Sequence, residues 1–490
     1  MDWDTTHSRL EASPRLSRRL LSTTARSRRV RCRLRAGDRL MLWQIFESQS
    51  RMRGGSEFIV SSRESLTYRD VNMRVNRLSD RLREFSRGPM ALVANDPVES
   101  IIFLLASCQV GIECCLYPAD RDMDFYTECA SAFGHMLLER DHGGELFVVG
   151  SPSSDLPPTR QSPSPVGEPR VAVMTSGTTG KPKATRHHWK NLVASAAQGA
   201  RARSDRMERW LLAYNVNQYA GLQVLAHVAI SGGTLVVPDR ISATAGIEAI
   251  VAYQVTHVSA TPTFWRLALG VMERRGNPEI DLVQITIGGE AVSDALLGSL
   301  KERFSRTRIS HIYATSEIGS SVAVTDGKAG LPLSILERGS AHPVHFRIDD
   351  GQLLALSDVG MIGYHDSVKG AQEWIQTGDL VEIRNERIRF IGRVGNVINV
   401  GGVKVHPLAV EDVIALVAGV ELAHVYGRAN PITGSIVAAD VIARQDWDVE
   451  IVRKDIATAC SSLPEAHRPR IVKFVESLPM VQNKLDRRKL

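Results

Sequence analysis

Residues 171–183 read Val-Ala-Val-Met-Thr-Ser-Gly-Thr-Thr-Gly-Lys-Pro-Lys, and the fold prediction starts from this stretch. Its four leading apolar residues predict a short buried strand. The Thr, Ser and Gly residues that follow are small enough for backbone N–H groups to approach phosphate oxygens, and the two lysines add positive charge. An isolated loop of this composition is more often an ordinary turn, so other segments of the chain are needed to support a phosphate-binding role. The polar segment 186–198 behind the loop is compatible with a helix.

The loop differs from the P-loop of nucleoside triphosphatases. That motif has four residues between its glycines and a Ser or Thr directly after the Gly-Lys pair. Here two residues separate Gly177 from Gly180, and Pro182 follows Lys181. The loop therefore predicts a phosphate site of another kind.

Length and composition predict a globular protein with more than one domain. The chain has 490 residues, of which 43% are hydrophobic and 23% are charged, and it is long enough for a sizeable core. The net charge of +6 comes from the beginning of the chain: residues 1–40 hold eleven Arg and four acidic residues, which leaves −1 for the other 450. The basic character therefore gives no indication of a nucleic-acid partner.

The basic leader, residues 1–40, has two interpretations. Its Arg, Ser and Thr content resembles a transit peptide, although three early acidic residues weaken that match. Alternatively the start is over-extended and Met41 is the true initiator, which the recognisable patterning from that residue onward favours. We expect disorder in either case. No later segment reaches the roughly 20 apolar residues of a transmembrane segment. Six cysteines without CxxC or metal-ligand spacing predict reduced thiols and a cytoplasmic location.

Strand and helix patterns alternate through most of the chain. Serial β-α units are predicted from residue 66 to residue 313, and from about residue 340 the pattern changes to short strands. We predict an α/β protein. Residues 41–394 would form a large N-terminal domain of parallel-type α/β sheets with a small β segment, and residues 395–490 a small mobile α+β domain. Ligands of such sheets bind beyond the carboxyl ends of the strands.

Two predicted strands end in segments that could bind a nucleotide. The first opens into Gly288-Gly289-Glu290, where glycines allow a flat ring to approach the backbone. The second, which ends at Tyr313, opens into Ala314-Thr315-Ser316-Glu317, where a carboxylate after a hydroxyl-bearing turn could hold Mg²⁺ beside phosphates. Without a nucleotide-binding role, the first segment would be a turn at the end of a strand, and the second would be a helix N-cap at Ser316.

Three further segments carry charged residues. Asp379 follows Thr377-Gly378, and a carboxylate can accept hydrogen bonds from both ribose hydroxyls. Arg393 ends the segment Phe390-Ile391-Gly392-Arg393, and the chain closes with a basic run that contains Lys484. In isolation these are most simply a turn, a surface pair and a solvated tail.

In this order the segments resemble the motifs of the adenylate-forming superfamily, which includes acyl-CoA synthetases, aryl-acid ligases, peptide-synthetase adenylation domains and beetle luciferases. The loop matches Thr-Ser-Gly-Thr-Thr-Gly-x-Pro-Lys throughout, and the resemblance extends over residues 66–490. Ala314 and Ser316 depart from the family's Tyr-Gly-x-Thr-Glu, and Asn483 replaces its Gly. The ATP- and AMP-binding residues that the resemblance implies are Thr175, Ser176, Gly177, Thr178, Thr179, Gly180, Lys181, Gly289, Glu290, Tyr313, Ser316, Asp379 and Arg393.

The resemblance also implies which residues take part in the chemistry. Lys484 stands at the position of the catalytic lysine and would contact the acid and the α-phosphate. Glu317, the second catalytic residue, would be the metal ligand for Mg²⁺. Gly395 stands at the hinge of the small domain, where Asp or Lys is usual, and glycine suits a residue that absorbs a large backbone change.

Two further regions of the resemblance concern the acid and the thiol. Gln218 takes the place of a His that often lines the acyl pocket near Gly221, so the identity of the acid stays open. Gly401, Gly402 and Lys404 lie in a stretch more typical of acyl-CoA synthetases than of peptide-synthetase domains, on the side where the thiol would bind.

The implied reaction has two half-reactions. A small carboxylic acid and ATP with Mg²⁺ give acyl-AMP and pyrophosphate; the small domain then rotates, and a thiol forms the thioester. The expected activity is that of an AMP-forming acyl-CoA synthetase, an acid–thiol ligase, with CoA as the acceptor. Two alternatives stay open: a stand-alone ligase that loads an acyl or peptidyl carrier protein on its phosphopantetheine, or a degenerate nucleotide-binding homologue with Gln218, Gly395 and Asn483 as signs of decay.

Overall fold

The structure is a computed structural model that describes residues 41–85, 88–140, 146–150, 168–175, 183–199, 207–368, 370, 373–481 and 484–487. The predicted leader 1–40, the loop residues 176–181 and Asn483 lie outside the described residues. The described residues belong to one unit, Leu34–Leu490. In the part of the chain that is described, no helix is both long enough and apolar enough to cross a bilayer.

Helices and strands alternate as the sequence predicts. The helices are α1 (Leu42–Arg53), α2 (Tyr68–Glu84), α3 (Pro97–Val110), α4 (Met123–Phe133), α5 (Trp189–Gly199), α6 (Tyr219–Ser231), α7 (Ala243–Ala252), α8 (Pro262–Arg274), α9 (Asp294–Arg303), α10 (Pro407–Ile414) and α11 (Val449–Cys460). The strands up to residue 324 are β1 (Glu57–Val60), β2 (Ser65–Thr67), β3 (Met90–Val93), β4 (Cys114–Tyr117), β5 (Met136–Arg140), β6 (Leu146–Gly150), β7 (Arg170–Thr175), β8 (Lys183–His188), β9 (Arg209–Leu212), β10 (Thr234–Val236), β11 (His257–Ala260), β12 (Gln284–Gly288), β13 (Arg308–Thr315) and β14 (Gly319–Val324). The later strands are β15 (Leu331–Pro332), β16 (Val344–Asp349), β17 (Gln352–Ser357), β18 (Gly363–Tyr364), β19 (Ile375–Arg384), β20 (Arg387–Arg393), β21 (Ile398–Val400), β22 (Val403–Val405), β23 (Val420–Asn430), β24 (Gly434–Ala443), β25 (Ile471–Phe474), β26 (Met480–Val481) and β27 (Lys484–Leu485).

The largest sheet, here the central sheet, has the strand order β14-β13-β12-β11-β9-β10-β1-β2. Its inner strands are parallel, and β14 and β2 are antiparallel edges. Strand residues alternate between the two faces. On one face Leu211, Val258 and Ile285 are buried in a core with α7, α8 and α9. The other face therefore carries the residues in between, which near β11 to β13 are mostly polar.

A second sheet, the N-terminal sheet, has the order β18-β8-β7-β4-β3-β5-β6. It corrects one prediction, because residues 186–188 are not helical. The segment Lys183–His188 pairs antiparallel with β7, from Thr175 opposite Lys183 onward, and α5 begins only at Trp189. The ladder to β7 satisfies the backbone groups of this polar segment, so tertiary pairing overrides its local helical pattern.

The end of the chain has a sheet and a core of its own. The third sheet, β15-β20-β19-β17-β16, is followed by the C-terminal sheet, in which β25 joins the order β22-β21-β24-β23. Val410, Val437 and Ile456 belong to a hydrophobic core that the C-terminal sheet shares with α10 and α11. This part is linked to α8 by an ion pair between Arg274 and Glu421, whose Nη1 and Oε2 atoms are 3.0 Å apart. The fold is the predicted α/β architecture with a large N-terminal part and a small C-terminal part.

Candidate active site

A cavity of about 2230 Å³ is lined by residues at the carboxyl ends of the central-sheet strands, by one face of these strands as far as Gln284 and Arg308, and by residues of the C-terminal part. Most of the predicted site residues that the structure describes line its wall. They are Thr175, Gln218, Gly289, Glu290, Tyr313, Ser316, Glu317, Asp379, Arg393, Gly395 and Lys484. The cavity therefore brings together residues that are more than 300 positions apart in the sequence.

Asp379 and Arg393 form one side of the cavity. They face each other across the antiparallel pair of β19 and β20, and Arg393 Nε lies 3.1 Å from Asp379 Oδ1. Tyr313 Oη donates to the other carboxylate oxygen over 2.7 Å. Burial raises the pKa of Asp379, an effect that Arg393 and then Tyr313 oppose, and burial together with Asp379 raises the pKa of Tyr313. The phenol therefore stays protonated and holds the carboxylate in a fixed orientation.

Glu317 lies in the turn between β13 and β14. The alternative interpretation of this segment, a helix N-cap at Ser316, does not apply: no helix begins here, and Thr315 Oγ1 accepts from Ile318 N over 3.2 Å within the turn. The antiparallel return of the chain as β14 explains this, since β14 pairs back onto β13. Burial, followed by the nearby Glu317 carboxylate, raises the pKa of Tyr364 to about 12.

The described residues contain no group of three or more His, Cys, Asp or Glu side chains that could hold a metal ion. Magnesium does not require such a cage, because it keeps several waters and binds through one or two carboxylates together with substrate phosphates. Glu317 offers one carboxylate at the cavity wall. The donor set therefore fits a magnesium ion that arrives with a nucleotide.

Gly289 and Glu290 continue directly from β12. Gly289 has a φ of +85°, which favours glycine. Glu290 Oε2 accepts from the backbone N of Thr263 over 3.1 Å, in the first turn of α8. A carboxylate at a helix N-terminus satisfies a free N–H group and the positive end of the helix dipole. Glu290 thus has a structural partner that the sequence did not indicate.

Lys484 reaches the same place from the other end of the chain. The short hairpin of β26 and β27 carries it, and a Cβ built on Gly289 would lie 3.1 Å from Lys484 Nζ. Burial lowers the pKa of Lys484, Glu290 partly opposes this effect, and Arg393 adds to it. A partly buried ammonium group thus lies against the strand end of β12 and interacts with the charges of Glu290 and Arg393.

Of the two residues predicted near the acid, Gln218 lines the cavity and Gly221 does not. Gln218 lines the cavity, and its Oε1 accepts from Asn215 N over 3.0 Å, so the side chain closes the turn before α6. Gly221 is buried and is not part of the described cavity wall. A Cβ there would lie 2.1 Å from Asn215 O, so this glycine is required by the close approach of that turn.

The hinge and thiol-side predictions concern the C-terminal part. Gly395 lies in the 3₁₀ turn Val394–Asn396, and a Cβ there would meet no atom within 4 Å, so this conformation does not itself require glycine. Gly401 and Gly402 form the turn between β21 and β22, with φ values of +58° and +90°. These two glycines and Lys404 lie outside the described cavity wall.

Sequence reasoning missed the polar face of β11 to β13. Ser259, Gln284 and Thr286 line the cavity from there, and Trp210 lies beside them on β9. The signal was present in Gln284-Ile285-Thr286-Ile287, where polar and apolar residues alternate as in a strand with one polar face.

Comparison with known proteins agrees with this architecture. The family model "AMP-binding enzyme" matches residues 131–341, and "AMP-binding enzyme C-terminal domain" matches residues 409–484. The 2-succinylbenzoate–CoA ligase of Bacillus pumilus is 26% identical over 462 residues, which cover 86% of this chain and 92% of that protein. Bacitracin synthase 3 of Bacillus licheniformis is 23% identical over 91% of this chain, which spans only 8% of that much longer protein.

A solved structure resembles the fold closely. The anthranilate CoA ligase AuaEII in complex with anthranoyl-AMP superposes with a TM-score of 0.74 at 18% identity, over 91% of this chain and 96% of that one. Two family models in the expected order and a full-length fold match agree with the motifs that line the cavity. The chain belongs to the adenylate-forming superfamily of AMP-binding enzymes.

Proposed function

We propose that this protein activates a carboxylic acid with ATP and passes the acyl group to the thiol of CoA, as an AMP-forming acid–thiol ligase. The acid's carboxylate oxygen attacks the α-phosphorus of ATP, and the bond to pyrophosphate breaks. A thiol then attacks the acyl carbon of the acyl-adenylate, and AMP leaves. The observation that carries the proposal is the position of the Lys484 ammonium group against Gly289, in the cavity that Asp379, Arg393 and Glu317 also line.

In the first half-reaction two negatively charged reactants approach each other, so positioning and charge neutralisation carry the catalysis. Lys484 would contact the acid and the α-phosphate. Asp379 and Arg393 would hold the ribose, and Tyr313 would support the nucleotide beside them. The backbone at Gly289 and Glu290 would contact the adenine. The loop from Thr175 to Lys181 would hold the β- and γ-phosphates, with Ser316 and Glu317 near the magnesium ion that neutralises them.

The second half-reaction requires space for a thiol. Lys484 lines the cavity, whereas Gly401, Gly402 and Lys404 lie outside its wall. We propose that the C-terminal part, residues 395–490, turns about Gly395, withdraws Lys484 and brings the β21–β22 turn to the thiol side. One cavity would then serve both half-reactions through a domain rotation.

Free CoA is the favoured acceptor. The relative that is covered almost end to end is by name a CoA ligase, whereas the peptide synthase is matched over a small fraction of its length. A phosphopantetheinyl carrier protein is the second candidate. A cytoplasmic location belongs to the same proposal, and the described cysteines, which are all free and buried, support it.

Acid-dependent exchange of labelled pyrophosphate into ATP tests the first half-reaction. We expect exchange with at least one acid of a panel of aryl and aliphatic carboxylic acids, and thioester formation on adding free CoA. Transfer only to a phosphopantetheinylated carrier protein would favour the carrier-loading ligase. ATP binding without exchange for any acid would favour the degenerate nucleotide-binding homologue and would overturn the proposal.

The pH dependence of the first half-reaction follows from the partly buried ammonium group. The charged form of Lys484 is the active form, and its pKa lies below the usual 10.5. As the pH rises through that pKa the charge is lost, so we expect kcat/KM for adenylation to fall on the alkaline side at a pH below 10.5.

Glu290→Gln tests whether this alkaline limb belongs to Lys484, whose pKa burial lowers and Glu290 raises. The negative charge of Glu290 raises the pKa of Lys484, so its removal should move the alkaline midpoint to still lower pH. Glutamine keeps an oxygen that can accept from Thr263 N. The matched control is Glu302→Gln, an exposed carboxylate on α9, which should leave the midpoint in place. An unchanged or raised midpoint in Glu290→Gln would contradict the assignment of this limb to Lys484.

A further inference from the structure

We propose that the acid activated here is a polar one, whose body carries hydroxyl or amino groups that donate hydrogen bonds, and not an unbranched alkyl acid. This inference rests on the proposed function and names the substrate class for the same cavity. It comes from the cavity wall beneath Gly288, where the side chains of β11, β12 and β13 line the space below the Lys484 end.

The strand register places polar side chains in two rows across this wall. Ser259, Thr286 and Ser310 lie side by side in the first row, and Gln284 and Arg308 lie side by side in the second. All five residues line the cavity. The apolar residues between them on each strand face the opposite core, so the polarity of this wall is a property of the face and not of the sheet as a whole.

The rows lie at defined depths. A strand rises about 3.3 Å per residue, so the Thr286 row lies roughly 7 Å and the Gln284 row roughly 13 Å below Gly288. Gly288 adjoins Gly289, where the Lys484 ammonium group would meet the carboxylate. The substituents of an acid bound along this face therefore meet the first row within about one ring's length of the carboxylate.

The hydrogen bonds within the rows indicate which substituents fit. Ser310 Oγ lies 3.5 Å from Ile285 O and 3.4 Å from Thr286 Oγ1, and either hydroxyl can donate in the second contact. We assign the Ser310 proton to the Ile285 carbonyl, which can only accept, so that Thr286 donates to Ser310. Gln284 Nε2 donates to Thr286 Oγ1 over 3.0 Å. A hydroxyl has one proton and two acceptor positions, so what Thr286 and Ser310 still offer is acceptor capacity. A substrate hydroxyl or amino group is the complementary donor.

Helix α6 adds polar and aromatic side chains to the cavity wall, beside the apolar Ala220 and Val224. Gln223 and His227 are one helical turn apart on α6 and both face the cavity. The His227 ring stacks on Trp210 with centroids 5.3 Å apart and planes 8° from parallel. Burial lowers the pKa of His227 to about 4, so this imidazole is neutral and adds no charge. An alkyl chain between these walls would remove water from polar groups without replacing their hydrogen bonds, which is unfavourable.

Matched pairs of acids in the pyrophosphate-exchange assay test the proposal. The pairs are 4-hydroxybenzoate and 4-aminobenzoate against benzoate and 4-methoxybenzoate, and 6-hydroxyhexanoate against hexanoate and octanoate. We expect kcat/KM to favour the donor-bearing member of a pair by at least about 10²-fold, because sites that bind a substrate hydroxyl reject analogues that lack it. Comparison of the aryl with the aliphatic acids shows whether the donor group is carried on an aromatic ring or on an alkyl chain.

Thr286→Val removes one acceptor at nearly constant volume. We expect it to lower kcat/KM for the preferred donor-bearing acid about tenfold and to leave that for its unsubstituted partner unchanged or higher. Thr307→Val is the matched control. Thr307 is equally buried, its Oγ1 donates to Leu282 O over 2.7 Å, and it does not line the cavity, so its loss should affect stability without changing the ratio between the two acids.

Ser310→Ala removes the second acceptor and provides the same readout if Thr286→Val does not fold. Preference of the unaltered enzyme for hexanoate, octanoate or benzoate would overturn this inference while leaving the proposed function in place. An unchanged ratio of the two acids in both folded variants would also overturn it. Absence of exchange with every acid would instead overturn the proposed function, and this inference with it.

Discussion

Lys484→Ala is expected to reduce acid-dependent pyrophosphate exchange by roughly 10²–10³-fold or more, because one preorganised donor at a developing charge contributes about that much. The structure brings the Lys484 ammonium group to Gly289 from a hairpin at the far end of the chain. Its charge lies in a partly buried position and interacts with the Glu290 carboxylate. ATP binding should persist, since the residues expected to hold the nucleotide belong to other strands.

The second half-reaction separates a chemical role of Lys484 from a structural one. If the C-terminal part withdraws Lys484 before the thiol enters, the variant should still convert added acyl-adenylate to the thioester at close to the normal rate. Lys473→Ala, an exposed lysine on β25 in the same part of the chain, is the matched control and should keep both half-reactions. Full exchange activity in Lys484→Ala, or equal loss of both half-reactions, would refute the assignment.

The sequence predicted the architecture and most of the cavity wall because both depend on local patterns. Alternating β-α units specify a parallel sheet, and polar residues directly after its strands must lie at one edge. Glu290 and Glu317 were predicted in this way, whereas Asp379 was identified by the motif Thr377-Gly378-Asp379 and lies within β19 of the third sheet. All three line one cavity. The resemblance added Lys484, which no local pattern would have connected with residues nearly 200 positions earlier.

The errors have a common physical origin in long-range pairing. A helix through residues 186–188 and an N-cap at Ser316 were reasonable from local composition, but the first segment pairs with β7, and Ser316 lies in the turn that joins the antiparallel pair β13 and β14. Hydrogen bonds to a distant strand outweigh local propensity. Gly221, which was assigned to the acyl pocket, has in addition a local constraint that the sequence did not indicate: a Cβ there would lie 2.1 Å from Asn215 O.

Asp379→Ala is expected to weaken ATP binding. It thus complements Lys484→Ala, which should bind ATP but not convert it. An ionised carboxylate has about four acceptor positions. Tyr313 and Arg393 each occupy one oxygen of Asp379, so each oxygen retains a position for a ribose hydroxyl. Hydrogen bonds to a charged group contribute about 1.5–3 kcal/mol each, so the loss of two should raise the Kd of ATP by roughly 10²–10⁴-fold. Calorimetric titration with ATP measures this directly.

The stability of the variant has to be considered together with its affinity. The Arg393 side chain is 60% exposed, so water can solvate its charge once the carboxylate is gone. The Tyr313 hydroxyl loses its partner in a buried position, which should lower the free energy of unfolding by about 1–3 kcal/mol. Thermal unfolding will therefore register a modest loss, which by itself would not account for a 10²-fold change in affinity.

Asp326→Ala provides the matched comparison. Asp326 forms an ion pair over 2.7 Å with Arg387, which is on the same strand β20 as Arg393. Asp326 itself does not line the cavity. Arg387 keeps hydrogen bonds to the carbonyls of Ala329 and Gly330, so this variant should also lose modest stability. If both variants weakened ATP binding equally, the cause would be distortion of β20. Both variants lose an ion pair to an arginine of β20. If only Asp379→Ala weakened ATP binding, the Asp379 carboxylate itself would therefore contact the nucleotide.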